Sequence, residues 1–146
     1  MEIQTREFRI DDYDAAIDLW NRVEGLDVAE GDDRETIQRF LARNPGLSRV
    51  ALDGSTIVGA VLGGHDGRRG YIYHLAVDPA YHGRGIGKLL IDECLAGLKC
   101  TGLERANILV ATDNPRGLDF WRKYGWEDLD GAAAMGIDVQ KRDTPD

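Results

Sequence analysis

The stretch YHGRGIGKLL, residues 81–90, places three glycines within five positions and then continues as an apolar run with helical spacing. Glycine loses more backbone freedom on folding than any other residue, so such a cluster is expected where the chain needs tight turns or a close approach to a ligand. The unpaired N–H groups of a first helical turn, together with the helix dipole, attract anions. The stretch therefore predicts a phosphate-binding loop at the start of a helix.

Two common phosphate-binding loops do not fit its spacing. A P-loop needs a glycine, four further residues and then Gly-Lys-Ser/Thr, but His82 occupies the first glycine position and Leu89 replaces the hydroxyl residue. The dinucleotide-binding pattern G-x-G-x-x-G would have its third glycine at Lys88, and that pattern usually follows the first strand of a sheet rather than the fourth. What remains is a G-x-G-x-G loop that follows a strand and a proline.

This loop and a second segment downstream carry a family resemblance. Residues 77–87, VDPAYHGRGIG, match the motif V-x-P-x-x-R/Q-x-x-G-x-G/A, with one departure at His82, where the motif has Arg or Gln. Residues 114–126, NPRGLDFWRKYGW, are similar to N-x-x-A-x-x-F-Y-x-x-x-G-F. The sequence thus resembles the GNAT superfamily of acetyl-CoA-dependent N-acetyltransferases, and residues 63–87 are especially similar to its small bacterial YpeA-like members. A glycine turn that serves only helix packing is the alternative, and it leaves the downstream segment unexplained.

The rest of the chain predicts a mixed α+β fold. Hydrophobic periodicity and turn residues indicate the order β, α, α, β, β, β, α, β, α, β, β. The predicted strands are residues 2–10, 48–53, 56–66, 71–78, 105–113, 126–130 and 134–139, and the predicted helices run from Asp11 or Asp12 to about Glu24 and over residues 31–46, 85–100 and 115–125. This order is not a regular βαβα alternation. The resemblance implies a three-layer acyl-CoA N-acyltransferase fold: a central, mostly antiparallel twisted sheet, a splay between the fourth and fifth strands, and helices on both faces.

Composition narrows the classes of partner. The 146 residues suit one domain, residues 1–146. The formal net charge of -8 disfavours nucleic acid and anionic membrane as partners. No apolar run approaches the roughly 18 residues that cross a bilayer, and the N-terminus lacks a signal-peptide core, so we expect a cytoplasmic protein. Cys94 and Cys100 lie about 240° apart around one helix, and with three histidines besides we expect neither a disulfide nor a metal site.

The resemblance implies acetyl-CoA as cosubstrate and assigns residues to it. The strand before the loop would pair with the pantetheine arm, the loop amides would hold the diphosphate, and the later segment would contact the arm. The residues so implied are Leu75, Ala76, Val77, His82, Gly83, Arg84, Gly85, Ile86, Gly87, Lys88, Asn114 and Trp121. The N–H of Val77 would stabilise the oxyanion that forms on attack. Arg84 has two interpretations, a phosphate contact or a solvated loop charge, and Asn114 also suits a helix N-cap before Pro115.

The proton-transfer residues are less clear from the sequence. Trp121 stands where many members carry a tyrosine acid, and an indole N–H cannot give up its proton. Leu109 stands where some members carry a glutamate base. The catalytic candidates are therefore Tyr73 and Tyr71 on the strand before the loop, and Tyr124 three residues after Trp121. For the two strand tyrosines, half-buried packing is the competing interpretation.

Strand alternation bears on a further candidate. It places Tyr71, Tyr73 and Leu75 on one face, and Ile72 and His74 on the other. An imidazole is suited to proton transfer near neutral pH. His74 would reach the site only if a bulge re-aimed it.

The predicted activity is direct transfer of an acetyl group from coenzyme A to a primary amine of a small molecule or a peptide, without a metal. An acyl-CoA-binding module without turnover is the alternative, and a different nucleotide-dependent enzyme is disfavoured by the loop spacing. Six carboxylates between residues 24 and 35 suit a cationic acceptor or simply a solvated loop. The acceptor is not identified by the sequence, and a homodimer stays open because dimers are common in the family.

Overall fold

A computed structural model describes residues 2–23 and 26–140 of the chain. Its strands are β1 (Ile3–Glu7), β2 (Arg49–Asp53), β3 (Thr56–His65), β4 (Gly70–Val77) and β5 (Ala106–Asn107), and its helices are α1 (Tyr13–Arg22), α2 (Arg34–Arg43), α3 (Ile86–Cys100) and α4 (Pro115–Lys123). Two short 3-10 turns, Ile10–Asp12 and Pro79–Tyr81, precede α1 and α3. Up to α3 the order is the predicted one. The predicted end of α1 near Glu24 lies outside the described residues, and α2 is shorter than the predicted 31–46.

The described strands form one sheet in the order β1-β2-β3-β4-β5. The first three pairings are antiparallel, and β5 pairs parallel with β4. The parallel pairing covers only Gly70 with Ala106 and Tyr71 with Asn107. The two strands therefore separate after Tyr71, which confirms the mixed α+β sheet and the predicted splay.

The two faces of the sheet carry separate cores. On one face α1 packs Leu19 and Trp20, both fully buried, against Phe8 of the chain after β1 and Leu62 of β3. On the other face α3 packs Ile86, Leu90 and Cys94 against Val58 and Ile72, with Phe120 and Trp121 of α4 partly buried beside them. The middle of the sheet is therefore buried on both faces.

Cys94 shows how tightly α3 is packed. Its thiol is buried and donates a hydrogen bond to the carbonyl of Leu47 over 3.0 Å. Burial raises its pKa to about 12. Cys100, at the last residue of α3, is exposed, and both cysteines are free.

The register of β4 contains a bulge that alters the predicted alternation. Leu62 pairs with Tyr73 and Ala60 with Ala76, so two steps on β3 face three steps on β4. His74 within this bulge has a φ of 52°, in the left-handed region that non-glycine residues seldom occupy. As a result Tyr73 and His74 both lie on the α1–α2 face, where Tyr73 contacts Phe40 and His74 contacts Trp20. Leu75 packs on the α3 face with Ile72. The predicted faces of His74 and Leu75 were therefore wrong.

The end of the chain departs further from the prediction. The predicted strand 105–113 is reduced to Ala106–Asn107, and residues 126–130 and 134–139 form no strand. Leu109, within the predicted strand, is 77% exposed. After α4 the chain is tied back to that helix instead of to the sheet: the N–H of Trp126 donates to the Trp121 carbonyl, and Arg122 holds Asp128 by two hydrogen bonds of 3.0 and 2.8 Å. A strand needs a paired neighbour, and these contacts direct the segment away from one.

Candidate functional site

The splay exposes the edge of β4 beyond Tyr71. Residues 72–77 continue β4 for about 20 Å at the usual strand rise, and no described strand pairs with them on that side. The N–H of Asp78 donates to the Val58 carbonyl over 2.8 Å. Because main-chain direction alternates along an antiparallel pair, Ala76 turns its polar groups towards β3 and Val77 turns its N–H towards the splay. The edge can thus bind an extended ligand, with Val77 as a main-chain donor.

His82 lies at the departure from the family motif, and its side chain orders the loop. Its ring nitrogen Nε2 is 2.9 Å from the Val77 carbonyl, so that carbonyl already has a partner within the protein. The preceding 3-10 turn begins with Asp78, whose side chain accepts from the N–H of Ala80 over 2.9 Å. These bonds fix the chain on both sides of Pro79 and hold the end of β4 against the glycine loop.

The glycine loop has the backbone geometry that an anion site requires. Gly83 and Gly85 have φ values of 79° and 77°, and no atom lies within 4 Å of where a Cβ would stand on either. Gly85 is the N-cap of α3, and the first hydrogen bond into the helix runs from Leu89 N–H to the Gly85 carbonyl over 3.0 Å. Among the described residues no acceptor is bonded to the amides of Ile86, Gly87 and Lys88. The first turn of α3 therefore presents open donors at the positive end of its dipole.

Two cationic side chains, Arg84 and Lys88, lie beside the loop. The guanidinium of Arg84 lies 5.0 Å above the Tyr81 ring, and the Tyr81 hydroxyl donates to Asp53 of β2. This hydrogen bond raises the pKa of Tyr81. The ammonium of Lys88 lies 2.6 Å from an Asp92 carboxylate oxygen and 5.4 Å from the Tyr124 ring. Two cations thus flank the loop of a chain whose net charge is -8.

Gly87 also determines how closely α4 approaches α3. A Cβ at this position would stand 3.2 Å from Cζ of Phe120, tighter than ordinary contact. Phe120 in turn packs edge-on against Trp121 and Tyr124, with ring centroids 5.6 and 5.1 Å apart. The third glycine of the loop therefore serves helix packing in addition to its place in the motif.

Asn114 begins α4 as its N-cap. Its side-chain oxygen accepts from the N–H of Gly117 over 3.1 Å, and Pro115 occupies the first helical position. A Cβ on Gly117 would stand 2.4 Å from the Asn114 amide nitrogen. The capping interpretation is confirmed, and the contact with a ligand remains a prediction.

The three candidate tyrosines border two cavities. A cavity of about 730 Å³ lies between β5 and α4 and is lined by Tyr71, Trp121 and Tyr124 among others. A second, of about 200 Å³, is lined by Tyr71, Tyr73 and Phe40. Tyr71 and Tyr73 stack with ring centroids 5.9 Å apart. Tyr71 and Tyr124 therefore share one cavity, while Tyr73 lines the other.

The surroundings of Tyr73 keep its phenol protonated. Burial raises its pKa, and the nearby Tyr71 and Asp66 raise it further. A phenol whose pKa lies above the ordinary value of about 10 stays protonated at neutral pH. Tyr73 can therefore donate a proton there but cannot serve as a base.

The structure also shows a polar pair that sequence reasoning did not assign to the site. The Nε2 atom of His74 lies 2.9 Å from Oδ2 of Asp32, in the loop between α1 and α2. One signal in the sequence points to Asp32: two aspartates precede α2, and only Asp33 caps it, accepting from the N–H of Thr36. The side chain of the other aspartate, Asp32, is thus available to another partner.

Within residues 2–23 and 26–140, no group of three His, Cys, Asp or Glu side chains could hold a metal ion. No helix in the same residues is long and apolar enough to span a bilayer.

Comparison with known proteins places this geometry among acyltransferases. A family model described as the acetyltransferase (GNAT) family matches residues 10–126. An acetyltransferase of Sodalis glossinidius, SG1711, is 35% identical over 134 residues, which are 92% of this chain and 94% of that protein. Another from Pectobacterium atrosepticum, ECA0875, is 37% identical over 128 residues, 88% of this chain and 90% of the relative.

Among solved structures, PaiA N-acetyltransferase of Thermoplasma acidophilum, in complex with coenzyme A, has a TM-score of 0.75 at 22% identity, covering 87% of this chain and 91% of that one. Ard1 of Thermoplasma volcanium also has a TM-score of 0.75, at 21% identity, with 86% and 82% of the two chains covered. These two likenesses establish the fold.

Proposed function

Because the chain belongs to the acetyltransferase (GNAT) family, we propose that it is an acetyl-CoA-dependent N-acetyltransferase that transfers the acetyl group directly to a primary amine. The observation that supports this most is the first turn of α3. Its open amides follow a left-handed glycine loop at one end of an unpaired strand edge. A diphosphate and an extended amide-containing arm are the two parts of coenzyme A that such a surface complements.

The residues of the site fit this cosubstrate. The amides of Ile86, Gly87 and Lys88 would hold the diphosphate, with Arg84 and Lys88 supplying positive charge. The exposed edge of β4 would pair with the pantetheine arm, and Val77 N–H would donate to the thioester oxygen. Three open amides and the helix dipole stabilise an anion here, while the net negative charge of the protein opposes its binding, so affinity depends on the local geometry of the loop.

The acyl transfer itself needs little from a general acid. A simple thiol has a pKa near 8.5, so its thiolate is a fair leaving group at neutral pH. Acid assistance contributes about 10²–10⁴-fold, and the protonated phenol of Tyr73 suits that role. Tyr71 and Tyr124 are the remaining candidates from the sequence, and the larger cavity places both beside Trp121. Asn114 would contact the arm from the start of α4.

The acceptor we propose is a primary amine of a small molecule or a peptide N-terminus. Carboxylates at Asp27 and Glu30 in the α1–α2 loop suit a cationic acceptor. An acyl-CoA-binding module without turnover is the second candidate. It is favoured by Trp121 and Leu109, which stand where many members have an acid and a base.

Calorimetry with acetyl-CoA, ATP and NAD tests the cosubstrate. We expect binding of acetyl-CoA alone, and tight ATP binding with no response to acetyl-CoA would overturn the assignment. A thiol-release assay across polyamines, amino acids, aminoglycosides and peptide N-termini then tests turnover. Release with at least one amine is expected, while binding without release across the whole panel would favour the binding module.

A further inference from the structure

His74 occupies a strained position whose side chain is directed by the β4 bulge. Its φ of 52° is seldom adopted by a residue with a side chain, and its ring lies 5.0 Å from the buried Trp20 ring. Strained backbone persists where the surroundings over-determine it, and such positions concentrate at functional sites. The bulge places His74 directly after Tyr73 on the α1–α2 face.

Asp32, the partner of His74, is also fixed by several hydrogen bonds. The His74 and Asp32 side chains are 20% and 12% exposed. Oδ2 of Asp32 also accepts from the N–H of Ala29 over 3.0 Å, and its main-chain carbonyl accepts from the Tyr13 hydroxyl over 2.6 Å. A carboxylate only accepts hydrogen bonds, so Nε2–H of the imidazole is the donor. This leaves the lone pair on Nδ1, and no described residue bonds to Nδ1.

We propose that the His74–Asp32 pair accepts the proton of the attacking amine, a role that rests on the proposed acetyltransferase function. As the nitrogen–carbon bond forms and the carbon–sulfur bond breaks, the electron pair of the latter leaves with the sulfur. One N–H proton of the amine passes through water to Nδ1 of His74, from which solvent removes it. Asp32 is the positioning residue: it fixes the ring and stabilises the imidazolium that forms.

Distance requires the intervening water. Val77, whose N–H faces the splay, lies three residues along β4 from His74, or about 10 Å at the usual strand rise. The groups in contact with the imidazole are the Asp32 carboxylate from the loop and the neutral Trp20 ring from α1, and Tyr73 precedes His74 on β4. Asp32 is thus the one carboxylate in contact with the ring among the described residues.

Substitution of His74 by glycine tests the proposal without adding strain, because glycine favours a positive φ. We expect His74→Gly to lower kcat/KM at pH 7 by about 100-fold, with acetyl-CoA affinity within twofold of wild type. Added imidazole is expected to restore at least a tenth of the lost rate, corrected for its reaction with the thioester in parallel wild-type assays. Asp32→Asn is expected to lower kcat about tenfold with KM nearly unchanged.

Asp14→Asn is the matched control for Asp32→Asn. Asp14 is 91% exposed on α1, and its ion pair within the described residues is with Arg34 at 3.8 Å, so its loss should leave the rate within twofold. A His74→Gly protein that keeps the wild-type kcat/KM, or that gains nothing from imidazole, would show that the pair only holds the loop and would overturn the proposal. Failure of the wild type to acetylate any amine would overturn the proposed function, and the role of the pair with it.

Discussion

The chain before residue 100 and the chain after it differ in how they are held. Every fully buried apolar side chain of the described residues lies between Phe8 and Leu98. In residues 104–140 the large apolar side chains are partly or mostly exposed, and Met135 is 94% exposed. The aromatic contacts of α4 hold this second region against α3.

This difference divides the candidate site. The donors of the glycine loop and Val77 are main-chain groups on the tightly packed region. Asn114, Trp121 and Tyr124 are side chains on the loosely packed one. Changes in the first region should therefore alter stability and affinity strongly, and matched changes in the second should alter them little.

The largest contrast is expected between two leucines. Leu90 is fully buried in the α3 core and Leu109 is 77% exposed. Leu90→Ala should lower the free energy of unfolding by about 2–5 kcal/mol through lost burial and the cavity left behind. Leu109→Ala should change it by less than about 0.5 kcal/mol. Chemical denaturation measures both, and equal effects would contradict the division.

Coenzyme binding gives the next contrast. Gly85→Asp puts a carboxylate at the proposed diphosphate seat and should weaken acetyl-CoA binding at least about 100-fold, or about 2.7 kcal/mol. Asn114→Ala, on the loosely packed side, should weaken it by no more than about tenfold. Gly102→Asp is the control, since Gly102 also has a positive φ of 87° with open space around it. Calorimetry compares the three, and unchanged affinity in Gly85→Asp would remove the loop from the site.

Two glycines test packing alone. A Cβ on Gly63 would stand 2.7 Å from the Leu47 carbonyl oxygen, a main-chain atom that cannot rotate away. Gly63→Ala should therefore destabilise the fold by about 1–3 kcal/mol. Nothing lies within 4 Å of a Cβ on Gly136, so Gly136→Ala should be nearly neutral. Thermal melts of both proteins check this, and a neutral Gly63→Ala would show that β3 and the chain after α2 are not in close contact.

Two ion pairs with the same geometry give the smallest contrast. Arg6 holds Asp12 by hydrogen bonds of 2.7 and 2.9 Å, with the Asp12 side chain 8% exposed. Burial opposes ionisation of Asp12, but the bonds from Arg6 and the Arg9 amide outweigh it, so its pKa is lowered. Arg122 holds Asp128 in the same way on the exposed surface.

A pKa that is lower in the folded state contributes stability that is present above the ordinary carboxyl value and lost as pH falls through the folded value. Asp12→Asn should lower stability at pH 7 by about 1 kcal/mol, allowing for solvent screening at Arg6, and should flatten the loss of stability in acid. The hydrogen bonds from Arg122 also lower the pKa of Asp128, but solvent screens this exposed pair, so Asp128→Asn should change the acid profile of the unfolding free energy much less than Asp12→Asn does. Urea titrations from pH 7 to pH 3 measure both, and identical profiles for the two variants would contradict the assignment.

The sequence predicted the fold best where periodicity and turn residues agreed. The adjacent strands predicted at residues 48–53 and 56–66, the helix that starts at the glycine loop and the cap at Asn114 follow local rules, and the structure contains them. The strands predicted after residue 105 were mostly wrong, because the formation of a strand depends on pairing with residues that are distant in the sequence. The local apolar run at residues 108–110 gives no information about whether a neighbouring strand is present.

The site was predictable as a loop and less so as a set of side chains. Glycines and a proline specify the turn from their own backbone preferences. The face of His74 depends on a bulge, and the bulge depends on the register between β3 and β4. Asp32 shares that limit, since its contact with His74 spans 42 residues of sequence.

The two cysteines give the molecule a chemical marker of its own. The thiolate is the reactive form, and a thiol with a pKa near 12 in a sealed core yields almost none at neutral pH. One equivalent of an alkylating dye should therefore react rapidly with Cys100, the exposed last residue of α3. The slower rate at which a second equivalent labels Cys94 would report how often that core opens. A bound ligand that stabilises α3 should lower this rate.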